Sequence, residues 1–166
     1  IQKAKDLIAS MRDIPEIEFN HEKACYIPRQ DKILLPYRHL FKSDEEFFAT
    51  EFHEILHSTG HRNRLDRSGI RHSKFGTQEY SQEELIAEIG ACFLSDLCGL
   101  GGAFDNSAGY IAGWIKALRN DSRMVIFAAG HAERAVNFLL PNAAGELAAP
   151  KREVIDVGLS RSALAA

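Results

Sequence analysis

His53-Glu54-Ile55-Leu56-His57 is a complete H-E-x-x-H, set inside a run from Asp44 to Thr59 that reads as a helix. Residues four apart stand one above the other on a helical face. The spacing brings two imidazoles to one metal ion, and Glu54 can lie beside a water on that metal. Two neutral His ligands with a carboxylate base describe a zinc hydrolase site. Ser43-Asp44-Glu45-Glu46 opens the run as a capping box, with Ser43 as cap and Glu46 reaching back. Phe48, Phe52, Ile55, Leu56 and Thr59 make a broad apolar stripe, so one side packs into a core. Gly60 is the expected C′ residue that stops the helix.

Upstream, apolar residues at 1, 4, 7, 8 and 11 predict a short amphipathic helix that Pro15 breaks. Ile17 and Phe19 alternate with Glu16 and Glu18, the pattern of a half-buried strand. Cys25–Ile27 and Lys32–Leu35 are further short apolar runs, joined by turn residues Pro28 to Asp31. Together they predict a small antiparallel sheet of about three strands. Lys32–Leu35, just before the motif helix, is the candidate edge to which a substrate peptide would add as an extra strand.

Downstream, residues 61–76 read as a polar loop and Ser81–Leu97 as a second helix, with Leu85, Ile89, Cys92, Phe93 and Leu97 as its buried face and Gly99 as its end. Gly99, Gly101 and Gly102 make a turn without the strand-then-helix context of a phosphate loop. Helices over 107–119 and 122–139 follow, capped near Asn106 and Asp121. Phe127, Ala128, Ala135, Val136 and Leu139 line the last of them. The class expected is α+β: the sheet, the active-site helix and about three further helices. Residues 1–141 are expected to form one folded domain and 142–166 a flexible tail or linker.

Composition narrows the function. The chain has 166 residues, 45% of them hydrophobic and 26% charged, with a net charge of −3, so no overall basic field draws it to nucleic acid or anionic membrane. No apolar run approaches the roughly 18 residues that span a bilayer. Three Cys without regular spacing fit reduced thiols in a cytoplasmic protein better than a disulfide framework. The chain begins at Ile1 rather than Met, which fits a fragment of something longer.

A catalytic zinc needs a third protein ligand. His61 is the nearest, but Gly60 would turn the chain before it, and the third-His position of the H-E-x-x-H-x-x-G-x-x-H pattern is Asn63. The alternative is a carboxylate from the second helix, where Glu83, Glu84 and Glu88 stand near its start. Glu84 and Glu88 share a face with Ala87, Ala91 and Ser95, small enough for a second helix to approach closely. Glu84 is the expected ligand and Glu88 the partner for the free N–H of a ligating His. Two alternatives stay open: Glu88 as the ligand, or Glu84 bonded back to Ser81 in a capping box. For the oxyanion of a tetrahedral intermediate the candidate donors are Tyr80, Tyr110 and His131. The loop residues Arg62, Arg64, Arg67, Arg71 and Lys74 are candidates for phosphate contact, although the segment lacks the interleaved aromatics that would stack single-stranded DNA.

The string HEILHSTGHRNRLDR, then FG at 75–76, YSQEELIAEIGACFL and YIAGWIKAL resembles the zincin-like metallopeptidase domain of ArdC-type antirestriction proteins. The same domain ends the TraC-type plasmid DNA primases. The resemblance covers roughly residues 1–140. It implies a zincin-like fold, His53 and His57 as zinc ligands and Glu54 as the catalytic carboxylate. It likens Glu84-x-x-Ala87-Glu88 to the segment of other glutamate-type zincins in which the first carboxylate binds zinc and the second supports a ligand His. It also implies that single-stranded DNA is met through an upstream domain that this sequence does not include. The function expected is zinc-dependent hydrolysis of a protein or peptide substrate, within a mobile-element protein. The competing expectation is a zinc-containing binding module that recognises host protein or DNA without catalysis.

Overall fold

A computed structural model of the chain describes residues 1–72, 77–100 and 123–140. Helix α1 (Gln2–Ser10) leads into strands β1 (Glu16–Phe19), β2 (Cys25–Ile27) and β3 (Lys32–Leu35), and a 3-10 turn covers Arg38–Leu40. Four helices follow among the described residues: α2 (Asp44–Ser58), α3 (Ser68–His72), α4 (Gln78–Leu97) and α5 (Arg123–Leu139). The expected helix over 107–119, with Tyr110, lies outside the described residues. So do the expected tail 142–166 and the boundary at 141.

The sheet is mixed rather than antiparallel, in the order β1-β3-β2. β2 and β3 form the expected hairpin, with Tyr26 opposite Ile33. Asp31, at φ 50°, turns the chain back between them. β1 does not extend the hairpin beside β2. It pairs parallel to β3, Ile17 opposite Ile33 and Phe19 opposite Leu35. Lys32 on β3 reaches across this pairing to Glu18 at 2.5 Å and Glu16 at 3.4 Å. β3 is therefore the central strand, with both edges used, and the expectation that Lys32–Leu35 is a free edge is wrong. Ile33 and Leu35 are fully buried because β3 lies against α2.

Helix α2 starts as its sequence dictates. Ser43 Oγ accepts from Glu46 N–H, and the Glu46 carboxylate accepts from the Lys42 N–H at 2.8 Å. The stripe Phe48, Phe52, Ile55, Leu56 and Thr59 is buried throughout. Gly60 serves close packing rather than a left-handed cap, because a Cβ there would stand 2.5 Å from Ile70 Cγ1. The expected loop 61–76 contains α3. Gly69 lets α3 touch α4, since a Cβ would meet Glu83 Cβ at 2.9 Å.

Helix α4 begins a turn earlier than expected. Thr77, not Ser81, is the cap, accepting from Tyr80 N–H, and Ser81 donates back to the Thr77 carbonyl. The capping-box role for Glu84 thereby disappears. The buried face is also rotated from the Leu85/Ile89/Phe93 reading: Ala87, Gly90, Ala91 and Leu94 are buried against α2, while Cys92 and Leu97 are only half-buried. Leu85 and Ile86 pack on the other side with Met124, Ala128 and Ala132 of α5. Gly99, at φ +71°, ends α4 with the paired bonds of a Schellman motif, Gly99 N–H to Asp96 and Leu100 N–H to Ser95. In α5, Ala128, Ala135, Val136 and Leu139 are buried as expected, but Phe127 is 46% exposed. The sheet, α2, α4 and α5 thus stack in sequence, with α4 covered on two sides.

Candidate metal centre

The functional side chains lie where α2 and α4 face one another. His53, Glu54 and His57 come from α2, and Glu83, Glu84 and Glu88 from α4. The helices run antiparallel here, because a step forward from His53 to His57 is matched by a step back from Glu88 to Glu83. His53 Nδ1 lies 3.1 Å from Glu88 Oε2, and His57 Nδ1 lies 3.3 Å from Glu83 Oε1. An ionised carboxylate only accepts, so in each neutral imidazole Nδ1 carries the proton and Nε2 presents a lone pair.

Those two Nε2 atoms stand 3.0 Å apart. Glu84 places Oε2 3.6 Å from His53 Nε2 and Oε1 3.5 Å from His57 Nε2. Three electron-rich groups thus share one focus, an arrangement that is repulsive without a positive charge among them. A metal with bonds of about 2.0–2.1 Å sets its tetrahedral ligands roughly 3.3 Å from one another. The observed separations of 3.0, 3.5 and 3.6 Å straddle that edge. His53, His57 and Glu84 therefore have the chemistry and spacing to hold a divalent cation and leave a fourth position open.

The electrostatics point the same way. Burial disfavours a charged His53 ring, yet Glu84 and Glu88 outweigh it and push its pKa up to about 10. His57 is raised as well, with burial opposed by Glu83 and Glu84. Burial works against the Glu84 charge, but the two imidazoles hold its carboxyl below the ordinary value. The pocket attracts positive charge, whether as protons or as a metal. Glu54 is 7% exposed, and its charge bears on His53 and on the Cys25 thiol of β2.

The other candidates separate clearly. His61 lies outside the cluster: its Nδ1 accepts from Asn63 N–H and stands 3.9 Å from Asp31. Tyr80 is half-buried in the first turn of α4, one turn before Glu84. His131 of α5 rests its ring on Phe127 at 4.3 Å. Burial, then Arg134 and Arg67, lower its pKa. Two of the loop arginines are committed inside the fold rather than free for phosphate. Arg64 pairs with Asp31 and donates to the Ser58 carbonyl at 2.7 Å. Arg67, 7% exposed, grips Glu83 with two bonds of 2.8 and 2.6 Å. Lys74 lies outside the described residues, as does the side chain of Arg71.

The sequence placed Arg67 only among the candidate phosphate contacts and gave Glu83 no role of its own. A signal for Glu83 was present: in an antiparallel pair, the second His needs its own acceptor about one turn before Glu88. Nothing local marks Arg67, because a buried guanidinium is recognised only by what surrounds it.

A sequence profile described as zincin-like metallopeptidase matches residues 2–131. DNA primase TraC of Escherichia coli is 42% identical over 120 residues, covering 72% of this chain and 11% of the primase. The uncharacterized protein y4eC of Sinorhizobium fredii (strain NBRC 101917 / NGR234) is 31% identical over 140 residues, 84% of this chain and 44% of that protein. The Mn(II)-bound crystal structure of antirestriction protein ArdC from plasmid R388 superposes with a TM-score of 0.68 at 38% identity, covering 87% of this chain and 53% of ArdC. The chain spans about a tenth of the primase and about half of ArdC.

Proposed function

The chain belongs to the zincin-like metallopeptidase family, and from that premise we propose that it is the zinc-dependent peptidase domain of a mobile-element protein of the antirestriction or plasmid-primase kind. The observation that carries this reading is the shared focus of His53 Nε2, His57 Nε2 and Glu84, with both Nδ1 atoms already engaged by Glu88 and Glu83. Two nitrogens and a carboxylate oxygen suit zinc, with one position left for water or substrate. Bound zinc supplies Lewis acidity toward a carbonyl and lowers the pKa of a water it holds.

The chain's own residues supply the remainder. Glu54 takes the proton of the attacking water and returns it to the leaving amine. Glu88 and Glu83 hold the two imidazoles in the ligating tautomer. Tyr80, a turn from Glu84, is the proposed donor to the developing oxyanion, with Tyr110 as the alternative. With β3 central, the substrate strand is proposed to add to β2, whose Cys25 lies near the Glu54 charge. The substrate is a protein or peptide. Any contact with single-stranded DNA is proposed to be made outside the residues of this chain. No described helix is long and apolar enough to cross a membrane. A cytoplasmic setting is proposed, in keeping with the free thiols of Cys25, Cys92 and Cys98.

A second reading is a zinc-containing module that recognises host protein or DNA without catalysis. It is favoured by the relatives' own names, which describe primases and an antirestriction protein rather than peptidases. Glu54→Gln separates the two. Peptidase action predicts that the variant keeps zinc and loses about 10²–10⁴-fold in cleavage of an unfolded protein. Cleavage at the wild-type rate would overturn the peptidase mechanism, and a zinc-loaded wild type without turnover would favour the binding module.

A further inference from the structure

Arg67 is a buried cation whose three guanidinium nitrogens are all hydrogen-bonded. Its Nε donates to Glu83 Oε2 at 2.8 Å, and Nη2 donates to Glu83 Oε1 at 2.6 Å and to the Leu56 carbonyl at 2.8 Å. Its Nη1 donates to Thr59 Oγ1 at 2.6 Å. Both charged side chains are nearly fully buried, at 5% and 4% exposure. Glu83 Oε1 is also the acceptor for His57 Nδ1. The guanidinium therefore joins the end of α2 to the carboxylate on α4 that orients a ligating imidazole. Resting on the metal reading above, we propose that Arg67 is a positioning residue for the metal centre, acting through Glu83 to hold His57 with its proton on Nδ1 and its Nε2 lone pair toward the cation.

The chemistry explains why an ion pair stands here and not a neutral amide. Glu83 must accept along three directions at once: two from Arg67 and one from His57. A Gln in its place has only one acceptor oxygen. If its NH₂ replaces Oε2, it faces Arg67 Nε, donor against donor. If it replaces Oε1, it faces Arg67 Nη2 and His57, and the imidazole can satisfy it only by moving its proton to Nε2, where it blocks the metal. Arg64 provides the comparison. It too is a largely buried guanidinium paired with a carboxylate, and it binds the Ser58 carbonyl at the same end of α2, but it has no bond to a ligand's partner.

The test is zinc affinity by chelator competition for wild type, Glu83→Gln, Arg67→Met and Arg64→Met, with the His Nδ1–H proton resonances of the zinc-loaded proteins. The expected result is a 10–100-fold loss of affinity in Glu83→Gln and Arg67→Met, and none in Arg64→Met. The Nδ1–H signal of His57 should exchange faster in Glu83→Gln while that of His53, held by Glu88, is unchanged. Unchanged zinc affinity in Glu83→Gln overturns the proposal, as does an equal loss in Arg64→Met, which would mark a merely structural role. If Arg67→Met does not fold, Arg67→Lys, which keeps the charge but cannot reproduce the two bonds to Glu83, takes its place, and unchanged zinc affinity there overturns the proposal. A wild type that binds no zinc defeats the metal reading itself, an outcome distinct from a wild type that binds and variants that match it.

Discussion

Leu56 of α2 and Gly90 of α4 are in such close contact that a Cβ on Gly90 would lie 2.5 Å from Leu56 Cδ1. The metal ligands come from these two helices, so this contact sets how closely they approach. Gly90→Val adds a branched side chain where Leu56, fully buried, has nowhere to go. Overpacking of this kind costs about 1–3 kcal/mol. Gly90→Ala should be milder, since the roughly 1 kcal/mol gained in helix propensity offsets part of the strain. Urea midpoints should fall for both variants, further for Val than for Ala, and zinc affinity should weaken most in the Val variant as the helices separate.

The division of labour between Glu84 and Glu88 predicts unequal losses. Glu84→Ala removes one of three groups at the shared focus and should abolish stoichiometric zinc after gel filtration. Glu88→Ala leaves the focus intact and removes only the acceptor for His53 Nδ1, so affinity should fall about 10–100-fold. His61→Ala should leave occupancy as it is. Equal occupancy in Glu84→Ala and wild type would return the ligand role to Glu88 or His61.

The Tyr26–Asp31–Arg64 cluster ties the β2–β3 hairpin to the segment after α2. Burial opposes the Asp31 charge, but bonds from Arg64 and Tyr26 outweigh it and lower its pKa. A carboxylate depressed in the folded state stabilises the fold above its unfolded pKa of about 3.9 and ceases to do so as pH falls through the folded value. In metal-free protein, the melting temperature of wild type should therefore drop from about pH 4 downward. Asp31→Asn should start lower and fall less steeply over that window, because its contribution does not titrate.

Cys92 follows Glu88 by one helical turn. Burial, and then the Glu88 charge, push its thiol up to about 11. The thiolate is the reactive form, so alkylation by iodoacetamide should be slow near neutral pH and rise steeply toward alkaline pH. Glu88→Gln should shift the rate profile toward lower pH. Rapid labelling of Cys92 at neutral pH would contradict the environment described.

Much of the site could be read from contiguous residues. Helical spacing alone stacks His53 and His57, and Ser43 with Glu46 marks where the helix begins. The small residues beside Glu84 and Glu88 announced a helix face that could come close to another. The sequence does not fix the start of α4, because Thr77 and Ser81 are both competent caps; Thr77 takes the role, and Ser81 donates to its carbonyl from inside the helix. The sheet was misread for a similar reason. Alternation identifies a strand, but it does not say that β1 will take the far side of β3.

What the sequence determined by itself is therefore local: the helix that carries the two imidazoles, their common face, its cap and its apolar stripe. These follow from backbone geometry over a few consecutive residues. Only the tertiary structure decided which strand is central, that Gly90 admits Leu56, and that Arg67 and Glu83 stand behind His57. The deciding contacts, Ile17 with Ile33, Arg67 with Glu83, His57 with Glu83 and Leu56 with Gly90, join residues far apart in the chain. They exist only where the packing of whole elements against one another brings the side chains within reach.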